Sequence, residues 1–174
     1  MRDNGQITNR ENELADGTLL VSKTDIKGKI TFVNKAFIDI SGFTEAELLG
    51  SPHNLVRHPH MPKEAFADLW KTIQSGKPWE GFVKNRSKAG DHYWVRANVT
   101  PFVENGAIAG YVSIRSKPSR AQVAEMEKLY ADIREGRAQD IKIEEGKAVY
   151  TSLSARVART FSGVAGRLVM IFTP

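Results

Sequence analysis

The hydrophobic period of the chain changes at Gly76, and that change limits what it can fold into. Before it, Phe66, Leu69, Trp70 and Ile73 recur at i, i+3, i+4 and i+7, one face of a helix. After it, Trp79, Gly81, Val83 and Asn85 alternate with Glu80, Phe82, Lys84 and Arg86, as in a strand. Ala89-Gly90-Asp91 turns the chain, and Tyr93, Val95, Ala97 and Val99 then alternate with His92, Trp94, Arg96 and Asn98. Asn105-Gly106 is a strong hairpin signal, and residues 107–115 read as one more strand. Three strands joined by short turns make an antiparallel meander.

Upstream, residues 18–24 and 29–33 read as strands around the turn Asp25-Ile26-Lys27-Gly28. Residues 35–41 form a short helix closed by Gly42, and Thr44 with Glu47 is a capping box that opens another, stopped by Gly50. Pro62 suits the first position of the long helix and Gly76 the residue past its end. The order β-β-α-α-α-β-β-β predicts an α+β domain: an antiparallel five-stranded sheet with its helices on one face. That domain takes residues 18–116. Residues 1–17 are a polar arm or cap of loose order. Ser119 with Gln122 opens a helix within 117–137, on which Val123, Met126, Tyr130 and Ile133 form an apolar stripe.

Residues 138–174 are left as a basic segment. From Ala148 onward there are Arg156, Arg159 and Arg167 and no acid, within a net charge of +5. Such an end favours an anionic surface, and without interleaved aromatics nucleic acid is set aside. Residues 168–172 are apolar but far short of the ~20 needed to span a bilayer, so membrane proximity is the expectation there. The N-terminus lacks the apolar core of a signal peptide, which predicts a cytoplasmic protein, at the inner face of the membrane if its end is membrane-proximal. The absence of cysteine excludes disulfides and thiolate chemistry.

Chemistry concentrates in residues 53–62, which hold three of the four histidines (His53, His58, His60) with Arg57 and two prolines, next to the helix bearing Trp70. A guanidinium there suits a pyrophosphate, which it grips with two bonds; a solvated charge is the plainer alternative. Trp70 is either core or the wall of a flat ligand. Asn85 shares a strand face with Trp79 and Val83, and an inward amide requires partners: backbone, or the donor–acceptor edge of a heterocycle. Asn34 ends a strand where a helix begins and suits a cap. Phe82, Trp94 and Tyr111 are expected together on the face opposite Val83, Val95 and Val112, a docking surface for a partner or for the arm. No carboxylate pair or nucleophile–base set marks an active site, so an enzyme is not expected.

Order and residues together resemble the PAS sensor family, and within it the FAD-binding PAS domains of bacterial aerotaxis receptors. The resemblance rests on residues 30–34, Gly42-Phe43, Glu47-Leu48-Leu49-Gly50, residues 52–62, 66–70, Pro78-Trp79, Val83-Lys84-Asn85-Arg86 and residues 90–98. Pro-His-Asn-Leu-Val-Arg-His-Pro and Gly-Asp-His-Tyr-Trp-Val-Arg-Ala-Asn carry most of it. It implies non-covalent FAD held by Asn34, His53, Arg57, His58, Trp70, Trp79 and Asn85, with Asn85 at the redox-active edge of the flavin. It implies a sensor of redox state or oxygen-linked electron flow in aerotaxis. The signal would pass through the sheet to a chemoreceptor signalling domain or protein, or across a homodimer. His60 departs from the acid expected in this group. The family's receptors continue into a membrane anchor and a signalling domain beyond the point where this chain ends. Haem on His53, His58 or His60, and a cofactor-free interaction module, are the competing readings. LOV-type photochemistry requires a cysteine.

Overall fold

A computed structural model describes residues 5–151; residues 156–172, with the basic and apolar stretches read above, lie outside the described residues. The elements are β1 (Leu20–Asp25), β2 (Ile30–Val33), α1 (Lys35–Ser41), α2 (Glu45–Leu48), a 3-10 turn at His53–Val56, α3 (Lys63–Gln74), β3 (Trp79–Arg86), β4 (His92–Glu104), β5 (Ala107–Ser116), α4 (Arg120–Arg134), β6 (Ile141–Glu144) and β7 (Lys147–Tyr150). The first five strands form one antiparallel sheet in the order β2-β1-β5-β4-β3, the five-stranded α+β sheet expected. A two-stranded hairpin, β6-β7, stands apart from it.

Local chemistry places most boundaries. The Asp25 carboxylate accepts from the Lys27 and Lys29 backbone N–H groups at 2.9 and 2.8 Å and folds the β1–β2 turn. Thr44 and Glu47 make the reciprocal capping box of α2, and Ser119 and Gln122 that of α4. Asn105 and Gly106 both have positive φ, 52° and 78°, as the tight β4–β5 hairpin requires. Pro62 sits one position earlier than expected, as the N-cap of α3 with extended backbone, because Lys63 begins the helix.

Tyr93, Val95, Ala97 and Val99 face α1–α3 across the core with Leu20, Phe37, Leu48 and Ile73. Part of the opposite face is covered by the C-terminal helix α4 and by the N-terminal arm. Trp94 stacks on Tyr130 of α4 with ring centroids 6.1 Å apart, and the Tyr130 hydroxyl donates to the Phe82 carbonyl at 2.7 Å. The N-terminal arm is also pinned. The Asn12 N–H donates to the His92 carbonyl, the His92 N–H to the Arg10 carbonyl, and Leu14 is buried.

The expected Phe82–Trp94–Tyr111 surface therefore does not exist. Phe82 and Trp94 lie against α4, and Tyr111 pairs with Pro101 in a register that turns it inward. The strand misleads because Ser113 and Arg115 also point inward, so polarity does not mark its outer side. The apolar side chains left open on the outer face are Phe32 and Ile114.

The β6–β7 hairpin lies inside the segment read only as basic. Its turn residues Glu145 and Gly146 have φ of 50° and 80°, and a Cβ on Gly146 would lie 1.8 Å from the Glu80 carbonyl oxygen. Only glycine permits that approach. The hairpin is held by Asp68 of α3, whose carboxylate accepts from the Glu145 N–H at 2.9 Å, the Gly146 N–H at 2.8 Å and the Trp79 indole N–H at 2.7 Å. Asp68→Ala is expected to strand three donors and cost about 1.5–3 kcal/mol. Hydrogen exchange should then show faster exchange across residues 141–150 with the central strands unchanged; protection equal to the parent would disprove the tether.

Candidate functional site

The sheet's inner face, one side of α3 and the 3-10 turn enclose a cavity of about 150 Å³. Its floor is Ser22 and Thr24 of β1, Val83 and Asn85 of β3, Ala97 and Val99 of β4, and Tyr111, Ser113 and Arg115 of β5. Phe66, Leu69, Trp70 and Ile73 of α3 form one wall, and Pro52, His53, Asn54 and Arg57 another. The helical spacing of the first set and the strand alternation of the floor are what bring these side chains to one space. Lys27, Arg57 and Arg115 line it, and among the described residues no aspartate or glutamate does.

Residues 57–61 run along the free edge of β3 and sort the histidine segment. Arg57 bridges Asn85 in an antiparallel pair, the His58 N–H donates to the Lys84 carbonyl at 3.4 Å, and the Lys84 N–H to the Met61 sulfur at 3.2 Å. Successive side chains on such a segment alternate. Arg57 thus enters the cavity, its guanidinium 3.4 Å from the centre of the Phe66 ring. His58 leaves it. His58 is buried beside the rings of His60 and His92, its Nδ1 accepts from the His60 N–H, and its Nε2 has no hydrogen-bond partner.

Trp70 meets Tyr111 edge-on at 5.6 Å, and a Cβ on Gly28 would come within 2.9 Å of its indole. Asn85 lies on the floor, 3 % exposed, with Nδ2 unpartnered, and the Ser113 hydroxyl, farther along the same floor, is unpartnered too. Two buried polar groups left open at one cavity are what a ligand with a polar edge would satisfy.

Three of the expected binding residues lie elsewhere. His58 is outside for the reason given. Trp79 is buried, but its indole N–H is spent on Asp68. Asn34 is a cap: its side-chain oxygen accepts from the Phe37 and Val21 N–H groups and its amide donates to the Leu19 carbonyl.

What the sequence left unremarked is Arg115. It is 5 % exposed, donating to the Ser22 hydroxyl at 3.0 Å and lying 2.8 Å from His53 Nε2. A guanidinium only donates, so Nε2 must accept and His53 is neutral. Burial, with Arg115 and Arg57 nearby, pulls the His53 pKa down to about 3. A polar pattern at alternate positions 111, 113 and 115 was the available signal.

The apolar walls, open amide and hydroxyl, and surplus of cations suit a flat heterocycle with an anionic or carbonyl-bearing part. At about 150 Å³ the space is tighter than the ~300–1,000 Å³ of most small-molecule pockets, so a fused-ring ligand would have to displace lining side chains. Among the described residues no cluster of histidine, aspartate and glutamate is placed to hold a metal ion, and no helix is long and apolar enough to cross a membrane.

Residues 30–115 match the model of the PAS fold. The chain is 48% identical over 86% of its length to the aerotaxis receptor of Escherichia coli (strain K12), of which it spans 29%. It is 28% identical over 56% of its length to the nitrogen fixation regulatory protein of Klebsiella pneumoniae, spanning 20% of that protein. Among solved structures, the dark structure of the blue-light photoreceptor Aureochrome1 LOV superposes with a TM-score of 0.56 at 20% identity, over 67% of this chain and 84% of the other. The chain thus spans less than a third of the curated relatives named here.

Burial and neighbouring cations lower the pKa of both His53 and His58 to about 3. The unfolded chain protonates these rings near 6.5 while the folded chain does not. Their contribution to stability is therefore complete above about pH 6.5 and is lost as pH falls toward 3, at about 1.4 kcal/mol per unit for each ring. Urea unfolding should show a loss of roughly 2–4 kcal/mol between pH 7.5 and 5, with the slope near halved in His58→Gln. A slope unchanged by that substitution would remove His58 from the account.

Proposed function

We propose, on the match of residues 30–115 to the PAS fold, that this chain binds FAD and senses redox state or oxygen-linked electron flow in aerotaxis signalling. The observation that carries the proposal is the unpartnered Asn85 Nδ2 facing a cavity, between Trp70 and the sheet, that no acid lines among the described residues. Similarity to an aerotaxis receptor over most of the chain supports the sensory role. In this reading the domain is cytoplasmic, near the inner face of the membrane, and its partner is a chemoreceptor signalling domain.

A bound flavin supplies reversible electron uptake coupled to a proton at its ring edge. The protein's own contribution begins at Asn85, which can present either its oxygen or its NH₂ and so accommodate an edge that changes from acceptor to donor. Because Asn85 sits on β3, its rotation is felt by the Arg57 backbone bridge and by the residue pair Asn85–Tyr93 on β4. Arg57 is the residue for the pyrophosphate. The haem reading loses ground because His53 Nε2 is occupied by Arg115, and His58 and His60 lie outside the cavity.

The decisive test is the visible spectrum of freshly purified protein and chromatography of the nucleotide released by heat. FAD is the expected product; FMN alone would refute the assignment, and a colourless protein that takes up no added flavin would leave an interaction module. Arg57→Ala should reduce FAD occupancy while sparing the fold, and undiminished affinity would end the pyrophosphate role. Asn85→Ala should weaken binding by about 1–3 kcal/mol, measured by flavin fluorescence on titration.

A further inference from the structure

We propose that Arg115, locked in place by Ser22 and His53, sets the charge preference of the cavity and raises the reduction potential of the flavin bound there. The inference rests on the flavin reading above, but its observations are separate. Arg115 is a buried cation whose partners, the Ser22 hydroxyl and the His53 ring nitrogen, are both neutral. No carboxylate lies within ion-pair distance of it among the described residues, and no acid lines the cavity it faces. The other groups around it add no negative charge: the Phe37 ring lies 5.4 Å away, and the nearby Tyr93 phenol is held protonated by burial.

An ionised group without a counter-ion is costly to bury, and a side chain of similar shape without charge would serve packing better. Its retention in a cavity floor points to a counter-charge that arrives with the ligand. A guanidinium has five N–H groups, and two are engaged, so donors remain for a carbonyl edge. The two side-chain bonds fix its plane before anything binds, which is what a preorganised electrostatic site requires. Arg57 is a different case, being stacked on Phe66 at the wall.

The effect on redox balance follows. A flavin that takes two electrons and one proton from a reductant acquires one negative charge, whereas taking two protons leaves it neutral. A fixed cation beside the ring favours uptake of the electrons over the oxidised, neutral ring. His53 must stay neutral for this geometry, since a protonated ring would have no lone pair for Arg115.

The test compares the parent with Arg115→Met, Arg115→Gln and Arg115→Lys, each loaded with FAD and titrated with dithionite against a reference dye. Loss of charge in the Met and Gln variants should reduce the preference for reduced over oxidised flavin at least tenfold, a fall of about 30 mV or more for a two-electron couple. Arg115→Lys should recover most of it. Apo Arg115→Met should melt no lower than the apo parent, because the uncompensated charge is gone; if that variant does not fold, the Gln and Lys pair gives the same comparison. Equal midpoint potentials in a charged and an uncharged variant that both hold FAD would overturn the proposal and leave the flavin reading standing. A parent that binds neither FAD nor FMN would overturn both.

Discussion

The pairing of residues 57–61 with the free edge of β3 is the constraint on which the site depends. It covers the Lys84–Asn85 part of an edge that would otherwise present unpaired backbone groups. It also acts as a sorter, because side chains along an edge-paired segment point alternately to the two sides of the sheet. Arg57 is delivered to the cavity and His58 is taken out of it, although they are neighbours in sequence. The same pairing fixes where α3 begins, and so where Phe66, Leu69 and Trp70 stand as a wall.

The sheet is loaded on both faces, and the two loads differ in kind. On the inside, apolar residues from α1 and α3 give way to Ser22, Asn85, Ser113 and Arg115, a polar floor that an ordinary core would not tolerate. On the outside, the Trp94–Tyr130 stack and the paired N-terminal arm cover the end of the β3–β4 pair that carries Lys84, Arg86, His92 and Trp94, and leave Glu80, Arg96, Asn98 and Thr100 exposed. Asp68 joins the systems at one carboxylate, linking the α3 wall, the buried Trp79 indole and the β6–β7 turn. A displacement of α3 by a ligand would reach the hairpin through rigid contacts rather than through a flexible linker.

Some features could be read from the chain because their causes are local. The capping boxes at Thr44 and Ser119, the Asn105-Gly106 turn and the alternation along β3 and β4 each depend on a few adjacent residues. The five-stranded antiparallel sheet, the α3 wall and the inward direction of Asn85 follow from those periods. Tyr111 and the hairpin at 141–150 were not legible in the same way. The first lies on a strand whose inward face is polar, and the second has only four residues per strand and a Glu-Gly turn, a weaker signal than Asn-Gly.

The sequence by itself determined the elements of the five-stranded domain, their order and the stretch in which the chemistry lies, since helical and strand periods and caps are set by neighbours along the chain. Tertiary structure alone decided which residues of that stretch share a cavity. Arg115 meets His53 across 62 positions and Ser22 across 93, and no local pattern encodes such contacts. Asn34 and Trp79 took cap and core roles because their polar atoms found partners in the fold, while Asn85 Nδ2 and the Ser113 hydroxyl found none. The difference between an amide that caps a helix and one left open at the cavity is therefore a matter of which hydrogen bonds folding satisfies, and that is fixed only when the strands have paired.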